Sequence, residues 1–116
     1  MERTITIDGQ EVKFRATAAV PRLYRIKFRR DIIQDMAIIK KAQKKQETDG
    51  ENIPPEALEM FENVAYIMAL HGDAGTPSSI DEWLDQFEMF SIYEILPEIL
   101  ELWGSNLFTD VKSRKN

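Results

Sequence analysis

The chain opens with an alternation of apolar and polar residues that predicts a β-hairpin over residues 3–16. Its apolar positions are Ile5, Ile7, Val12 and Phe14. Between the two runs lies Asp8-Gly9, the strongest short signal for a tight hairpin turn. Because a lone hairpin is only marginally stable in water, we expect its apolar face to pack on helices or its edge to pair with another chain.

From residue 18 onward, apolar residues recur every three or four positions, which predicts a helical body over residues 18–107. Thr17 is a suitable cap for the first helix, and Asp31 is a suitable cap for a second. Residues 18–46 therefore form either one helix or two with a break near Arg30. The residues expected on the buried face after Asp31 are Ile32, Ile33, Met36 and Ile39.

The polar run at residues 46–54 predicts a mobile loop. The next helix starts at Pro54-Pro55, where the first turn tolerates proline. Its stretch from 63 to 70 carries no charge and is apolar nearly all round, so we expect it to be buried on most sides and to form the core. Gly72 is expected to end this helix.

Two further helix starts follow, each with serine at the cap and glutamate three residues later. The first begins at Ser79, and the second begins at Ser91. Pro97 predicts a kink or restart within the last helix, and the tail at 110–116 is expected to be loose. The predicted fold is a single α+β domain, mainly α, in which the hairpin precedes four or five helices.

Charge is distributed very unevenly along the 116 residues. Residues 1–45 hold twelve Lys and Arg against five Asp and Glu, whereas residues 46–111 hold fifteen Asp and Glu and no Lys or Arg. Either the basic half docks on the acidic half of the same molecule, or each half recruits a differently charged partner. The first interpretation is favoured, because both halves are needed for one core.

Most of the residues and motifs that catalysis, metal binding or phosphate binding requires are missing from the sequence. There is no cysteine, and His71 is the only histidine; we expect it to be structural, as an imidazolium facing the last carbonyls of a helix. The acidic cluster of Asp81, Glu82, Asp85 and Glu88 lacks calcium-loop spacing, and a solvated helix face explains it. No glycine lies in a phosphate-binding motif. We therefore predict no enzyme activity and no catalytic, metal-binding or cofactor-binding residue.

Two groups of residues are candidates for binding a protein partner. The first is the helix face that carries Arg22, Arg25 and Arg29, with Ile26 among them. That face also suggests the alternative of a small DNA-binding regulator, although a pI near 4.9 makes nucleic acid the weaker choice. We expect these arginines to pair with the chain's own Glu-rich helices or with an acidic partner. The second group is aromatic and apolar: Phe90, Tyr93, Leu107 and Phe108.

Five runs of the chain resemble tail assembly chaperones of long-tailed phages and prophages of Gram-positive bacteria. They are FRATAAVPRLYR at 14–25, FRRDI at 28–32, FENVAYIMA at 61–69, IDEWLD at 80–85 and SIYEILPEILELW at 91–103. Together they cover nearly the whole chain except the segment at 43–57. The resemblance is an overall pattern and carries no signature residue.

The resemblance implies a non-catalytic protein that binds the tape measure protein and keeps it soluble until tail tube subunits assemble around it. It also implies a cytoplasmic protein of the bacterial host that is absent from the mature virion. In such families a frameshifted, extended form is thought to recruit the major tail tube protein. Self-association is expected as well, since several copies along one tape measure would gain from multivalency. No stretch is apolar enough to predict a membrane partner.

Overall fold

The computed structural model describes residues 1–104, which form a two-stranded hairpin followed by six helices. The elements are β1 (Glu2–Ile7), β2 (Gln10–Arg15), α1 (Ala19–Phe28), α2 (Ile32–Asp49), α3 (Pro55–Gly72), α4 (Ile80–Leu84), α5 (Ser91–Glu94) and α6 (96–104). The predicted α+β fold dominated by helices is confirmed. Within residues 1–104, no helix is both long and apolar enough to cross a membrane.

The hairpin forms in the predicted register. The strands are antiparallel with Ile5 opposite Val12, and both turn residues have positive φ, 52° at Asp8 and 78° at Gly9, as a type I′ turn requires. The buried face of the hairpin packs on α3. A Cβ atom added at Gly72 would lie 2.4 Å from the Lys13 carbonyl oxygen, so glycine permits the close approach of α3 to β2.

The open question about residues 18–46 is settled in favour of two helices. Arg29 adopts a left-handed conformation with φ 59° and ends α1. Asp31 caps α2 as expected, because its carboxylate accepts a hydrogen bond of 2.9 Å from the Ile33 amide.

However, α2 continues to Asp49, so the loop predicted at 46–54 begins only at Gly50. Residues 43–47 are good helix formers, and Gly50 (φ 71°) supplies the left-handed cap that ends the helix.

Helix α3 is the centre of the core, as its uncharged middle predicted. Its fully buried residues include every position from 64 to 69. The Trp83 ring joins α4 to this core, with its centroid 5.6 Å from that of Tyr66 and 6.4 Å from that of Phe14. One continuous apolar cluster therefore connects the hairpin and the helices.

The last third of the described chain differs in part from the prediction. Ser79 caps α4 by accepting a hydrogen bond of 3.1 Å from the Glu82 amide, as expected. The second predicted cap is wrong: α5 begins at Ser91 itself, and the Ser91 hydroxyl donates to the Asp8 carboxylate instead. The helix is interrupted at Ile95, two residues before Pro97, and restarts at residue 96 as α6. Pro97 has no amide hydrogen to donate.

Candidate protein-binding surfaces

The junction of α1 and α2 is held by a buried carboxylate. Asp35 is 1% exposed, and it accepts a hydrogen bond of 2.6 Å from the Tyr24 hydroxyl and two from the Arg30 guanidinium, at 2.9 and 3.0 Å. Burial by itself raises the pKa of Asp35, but the hydrogen bonds from Arg30 and Tyr24 and the Arg30 charge outweigh it and hold the pKa below its usual value. The angle between the two helices is thus fixed by a charged, fully hydrogen-bonded cluster.

The outer side of this junction exposes both arginines and isoleucines. Arg22, Arg25 and Arg29 lie three and four residues apart on α1 and its C-cap, and Ile26 lies next to Arg25. All four residues are exposed. Ile33, at the start of α2, is 63% exposed, and Ile26 is 57% exposed. We call these five residues the elbow surface. A groove of about 450 Å³ crosses it, lined by Pro21, Arg25, Arg29, Arg30, Asp31 and Ile33.

Two expectations about this region are not met. Ile33 was expected on the buried face of α2, but Asp35 takes the place facing Tyr24 and Arg30, and Ile33 turns outward. For the arginines at 22, 25 and 29, two alternatives were expected: pairing with the chain's own Glu-rich helices, which is not seen among residues 1–104, or pairing with an acidic partner, which stays a prediction. Among residues 1–104, ion pairs form at Arg3–Glu101, Arg15–Glu2 and Arg30–Asp35, and none involves those three arginines. Only the first of these ion pairs joins the basic half to the acidic half.

Arg29 also carries backbone strain. A left-handed conformation costs a residue with a side chain about 1–2 kcal/mol, and glycine is the usual residue at such a helix end. The chain nevertheless places an exposed arginine there, with φ 59°. Strain retained at a surface position points to a use for the side chain outside the folding of the chain itself.

A second exposed apolar feature lies in the connection between α4 and α5. Met89 is 79% exposed and Phe90 is 69% exposed, the two highest values among the large apolar side chains of residues 1–104. We call them the Met89–Phe90 pair. Phe90 was among the predicted binding candidates, whereas Met89 was missed. Both residues lie in the connection between two helices. That position in the sequence could have been used to predict that both side chains are exposed.

The remaining aromatic candidates do not join this pair. Tyr93 is half-buried, and its hydroxyl donates a hydrogen bond of 2.5 Å to the Glu62 carboxylate. That hydrogen bond, burial and the Glu62 charge raise the pKa of Tyr93 to about 12. Its ring also lies against Phe61, with 6.5 Å between centroids. Tyr93 therefore contributes to packing between α3 and α5. Leu107 and Phe108 lie outside the described residues.

His71 joins two helices through a contact with Thr17, but not in the expected charge state. Its Nε2 lies 2.8 Å from the Thr17 hydroxyl oxygen, which ties the end of α3 to the start of α1. Burial, the Arg15 charge and the N-terminal ammonium each lower the pKa of His71 below its usual value. The neutral imidazole is therefore favoured near pH 7. The expected attraction of an imidazolium to the helix carbonyls is outweighed by burial and these two cations.

The acidic cluster of Asp81, Glu82, Asp85 and Glu88 begins on α4, but its last two members lie beyond the end of that helix. Within the described chain, no group of three or more His, Asp or Glu residues is placed to hold a metal ion. A depression of about 610 Å³ is lined by residues of α2 and α6, and no histidine lies along it. The two exposed apolar surfaces therefore remain the candidates for binding a protein partner.

Comparisons of the chain with protein-family models, with curated proteins and with solved structures found no match. The case for a function therefore comes from the chain's own residues and from the resemblance of its sequence runs.

Proposed function

We propose that this chain is a tail assembly chaperone of a long-tailed bacteriophage or prophage. In this role it binds the tape measure protein without catalysis and assists assembly of the tail tube. It would act in the cytoplasm of the host bacterium and be absent from the mature virion. An extended form would recruit the major tail tube protein. The resemblance at residues 14–32, 61–69, 80–85 and 91–103 supports this assignment.

The structural observation that carries the proposal is the elbow surface. Its exposed isoleucines would cover apolar positions of a partner helix, and its arginines would meet acidic residues beside them, in the manner of a helix lying in a groove. A tape measure protein, with long apolar helical stripes that aggregate when uncovered, is a partner of this kind.

The size of the surface favours many weak contacts over one strong contact. Covering the exposed part of Ile26 or Ile33 is worth about 1 kcal/mol each. Ion pairs at exposed arginines add at most about 1 kcal/mol each. One copy would therefore bind weakly, and retention on a long tape measure would come from several copies acting together.

The alternative is a DNA-binding regulator that uses Arg22, Arg25 and Arg29. The absence of ion pairs at these three arginines among residues 1–104 is the observation in its favour. Against it, Ile26 and Ile33 interrupt the cationic surface, and the net charge of −5 disfavours approach to phosphates.

The test is co-expression of the chain with the tape measure protein from the same genome. We expect the soluble fraction of the tape measure to rise with the chain present, and to fall again with Arg25→Glu/Ile33→Ser. The matched control is Ile38→Ser/Lys41→Glu, which replaces an exposed isoleucine and a cation elsewhere on α2. Unchanged tape measure solubility with and without the wild-type chain would refute the proposal.

DNA binding is measured with the same variants. Fluorescence anisotropy of a labelled duplex at low salt, repeated at rising salt, separates the two functions. Affinity that falls steeply with salt and is lost in Arg25→Glu/Ile33→Ser would favour the regulator.

A further inference from the structure

A groove of about 610 Å³ lies between α2 and α6, and we call it the α2–α6 groove. Its α2 side carries exposed lysines, and its α6 side carries two apolar residues and the last residue that the structure describes: Lys40, Lys41, Lys44, Pro97, Leu100 and Gly104. Leu100 packs on the edge of the core and is only half-buried. The groove therefore combines an apolar surface with a cationic wall.

The positive charge of this groove is not balanced within residues 1–104. Two carboxylates also line it, but that of Glu101 forms an ion pair with Arg3 at 3.3 Å. Glu47 is the other, and none of the three lysines forms an ion pair among residues 1–104. Because a lysine side chain also offers an apolar stem, the matching occupant is an apolar segment with a negative charge.

The chain continues from the groove with a segment of this composition. A Cβ atom added at Gly104 would meet no other part of residues 1–104 within 4 Å, so the space beside it is open. Residues 105–111 read SNLFTDV, with Asp110 as their only charged residue. Leu107 and Phe108 come three and four residues after Gly104, a reach of about 10–13 Å for an extended chain. The first apolar side chains after Gly104 are therefore within reach of the groove.

We infer that residues 105–111 lie in the α2–α6 groove of their own chain. Leu107 and Phe108 would cover Leu100 and the lysine stems, and the Phe108 ring would contact the ammonium groups, which is a favourable cation–π arrangement. Asp110 would supply the negative charge that the lysines lack. The chain's own segment is favoured over a partner's, because a short covalent connection gives it an effective concentration on the order of 1 mM, at which weak contacts are sufficient.

This contact has a consequence for Leu107 and Phe108, which are candidates for binding a partner. Side chains that lie in the groove cannot contact a second protein at the same time. A partner that uses them must therefore first displace them from α2. The contact is independent of the proposed function, because it needs only this chain, and it is measured without the tape measure protein.

The first test is NMR spectroscopy of the wild-type chain. We expect amide order parameters of about 0.85 at Leu107 and Phe108, against values below about 0.6 at residues 113–116. Nuclear Overhauser effects should connect the Phe108 ring with the Leu100 methyl groups. Order parameters below about 0.6 at both residues, or contacts of the Phe108 ring with other elements only, overturn the inference.

A mixed sample distinguishes the chain's own groove from that of a second copy. Half of the chains are isotope-labelled and half are not, so Overhauser effects between labelled and unlabelled chains arise only from contacts between copies. We expect no such effect between Phe108 and Leu100. Its appearance in the mixture would place the segment of one copy in the groove of another and overturn the inference.

The segment side of the contact is tested with Leu107→Ser/Phe108→Ser, which removes both apolar anchors. We expect the order parameters of residues 106–111 to fall below about 0.6. The matched control is Met89→Ser/Phe90→Ser, which removes two exposed apolar side chains elsewhere and should leave those values unchanged. Order that persists in residues 106–111 without the two anchors overturns the inference.

The groove side is tested with Lys40→Glu/Lys44→Glu, which reverses two charges on exposed residues of α2 and should retain the fold. This variant should release the segment in the same way, whereas the matched control Arg22→Glu/Arg25→Glu on α1 should not. Equal order parameters in the two charge variants overturn the assignment to this groove. The control for folding is thermal unfolding by circular dichroism, in which every variant should show a cooperative transition.

Discussion

Replacing Asp35 by alanine should destabilise the chain more than any single change at the surface. The substitution removes the acceptor of three hydrogen bonds and leaves the hydroxyl of Tyr24, whose residue is 0% exposed, without its partner. An unsatisfied buried polar group costs about 1–3 kcal/mol. The small cavity adds to this, whereas the Arg30 side chain, 48% exposed, can be hydrated again. We expect a loss of about 2–4 kcal/mol in the free energy of unfolding.

The measurement is urea denaturation followed by tryptophan fluorescence. Trp83 and Trp103 are 2% and 8% exposed, so unfolding should change their emission. The midpoint should fall while the dependence on urea concentration stays constant. Tyr24→Phe, which removes the hydroxyl but keeps the Asp35–Arg30 pair, should cost only about 1 kcal/mol.

A double-mutant cycle checks the mechanism. If Asp35 acts through Tyr24, Tyr24→Phe should cost at least about 0.5 kcal/mol less in the Asp35→Ala background than in the wild type. Strict additivity, or a loss below about 1 kcal/mol for Asp35→Ala, contradicts the argument that this cluster fixes the helix junction.

The same cluster predicts how stability depends on pH. Because the folded-state pKa of Asp35 lies below its usual value of 3.8, its contribution is fully present well above that value and is lost as the pH falls through the folded pKa. The wild type should therefore lose stability from about pH 4 downward, and Asp35→Asn should lose less over the same interval. Equal losses in the two proteins, measured by urea denaturation at each pH, would assign the acid sensitivity to other carboxylates.

Two backbone positions give further predictions. Gly72→Ala should destabilise by about 1–3 kcal/mol, because the new Cβ would meet the Lys13 carbonyl oxygen at 2.4 Å. Gly104→Ala, with nothing within 4 Å, is the control and should be neutral or stabilising in the same urea titration. Arg29→Gly should stabilise by up to about 1 kcal/mol by relieving the left-handed strain, whereas Arg22→Gly within helix α1 should cost about 1 kcal/mol. Destabilisation by Arg29→Gly would show that the strain is compensated by contacts within the chain.

Local patterns were sufficient wherever neighbours along the chain decide the structure. The Asp8-Gly9 turn, the Asp31 and Ser79 caps and the uncharged middle of α3 each depend on residues a few positions apart, and each was predicted correctly. The break near Arg30 was left open, because a left-handed arginine has no signal in the sequence.

Contacts between separate elements of the fold decided the rest. Ser91 could cap its own helix or bind Asp8, 83 residues away, and only the folded chain brings the second partner within reach. Ile33 was predicted to be a core residue. In the structure Asp35 instead occupies the buried position between Tyr24 and Arg30, and Ile33 is exposed.

The sequence by itself therefore determined the class of the fold and the main core helix. The tertiary structure decided which apolar side chains remain exposed and which charges remain without a partner among residues 1–104. The physical reason is that helical periodicity predicts the face of the helix on which a residue lies, whereas the burial of that residue depends on what packs against the face.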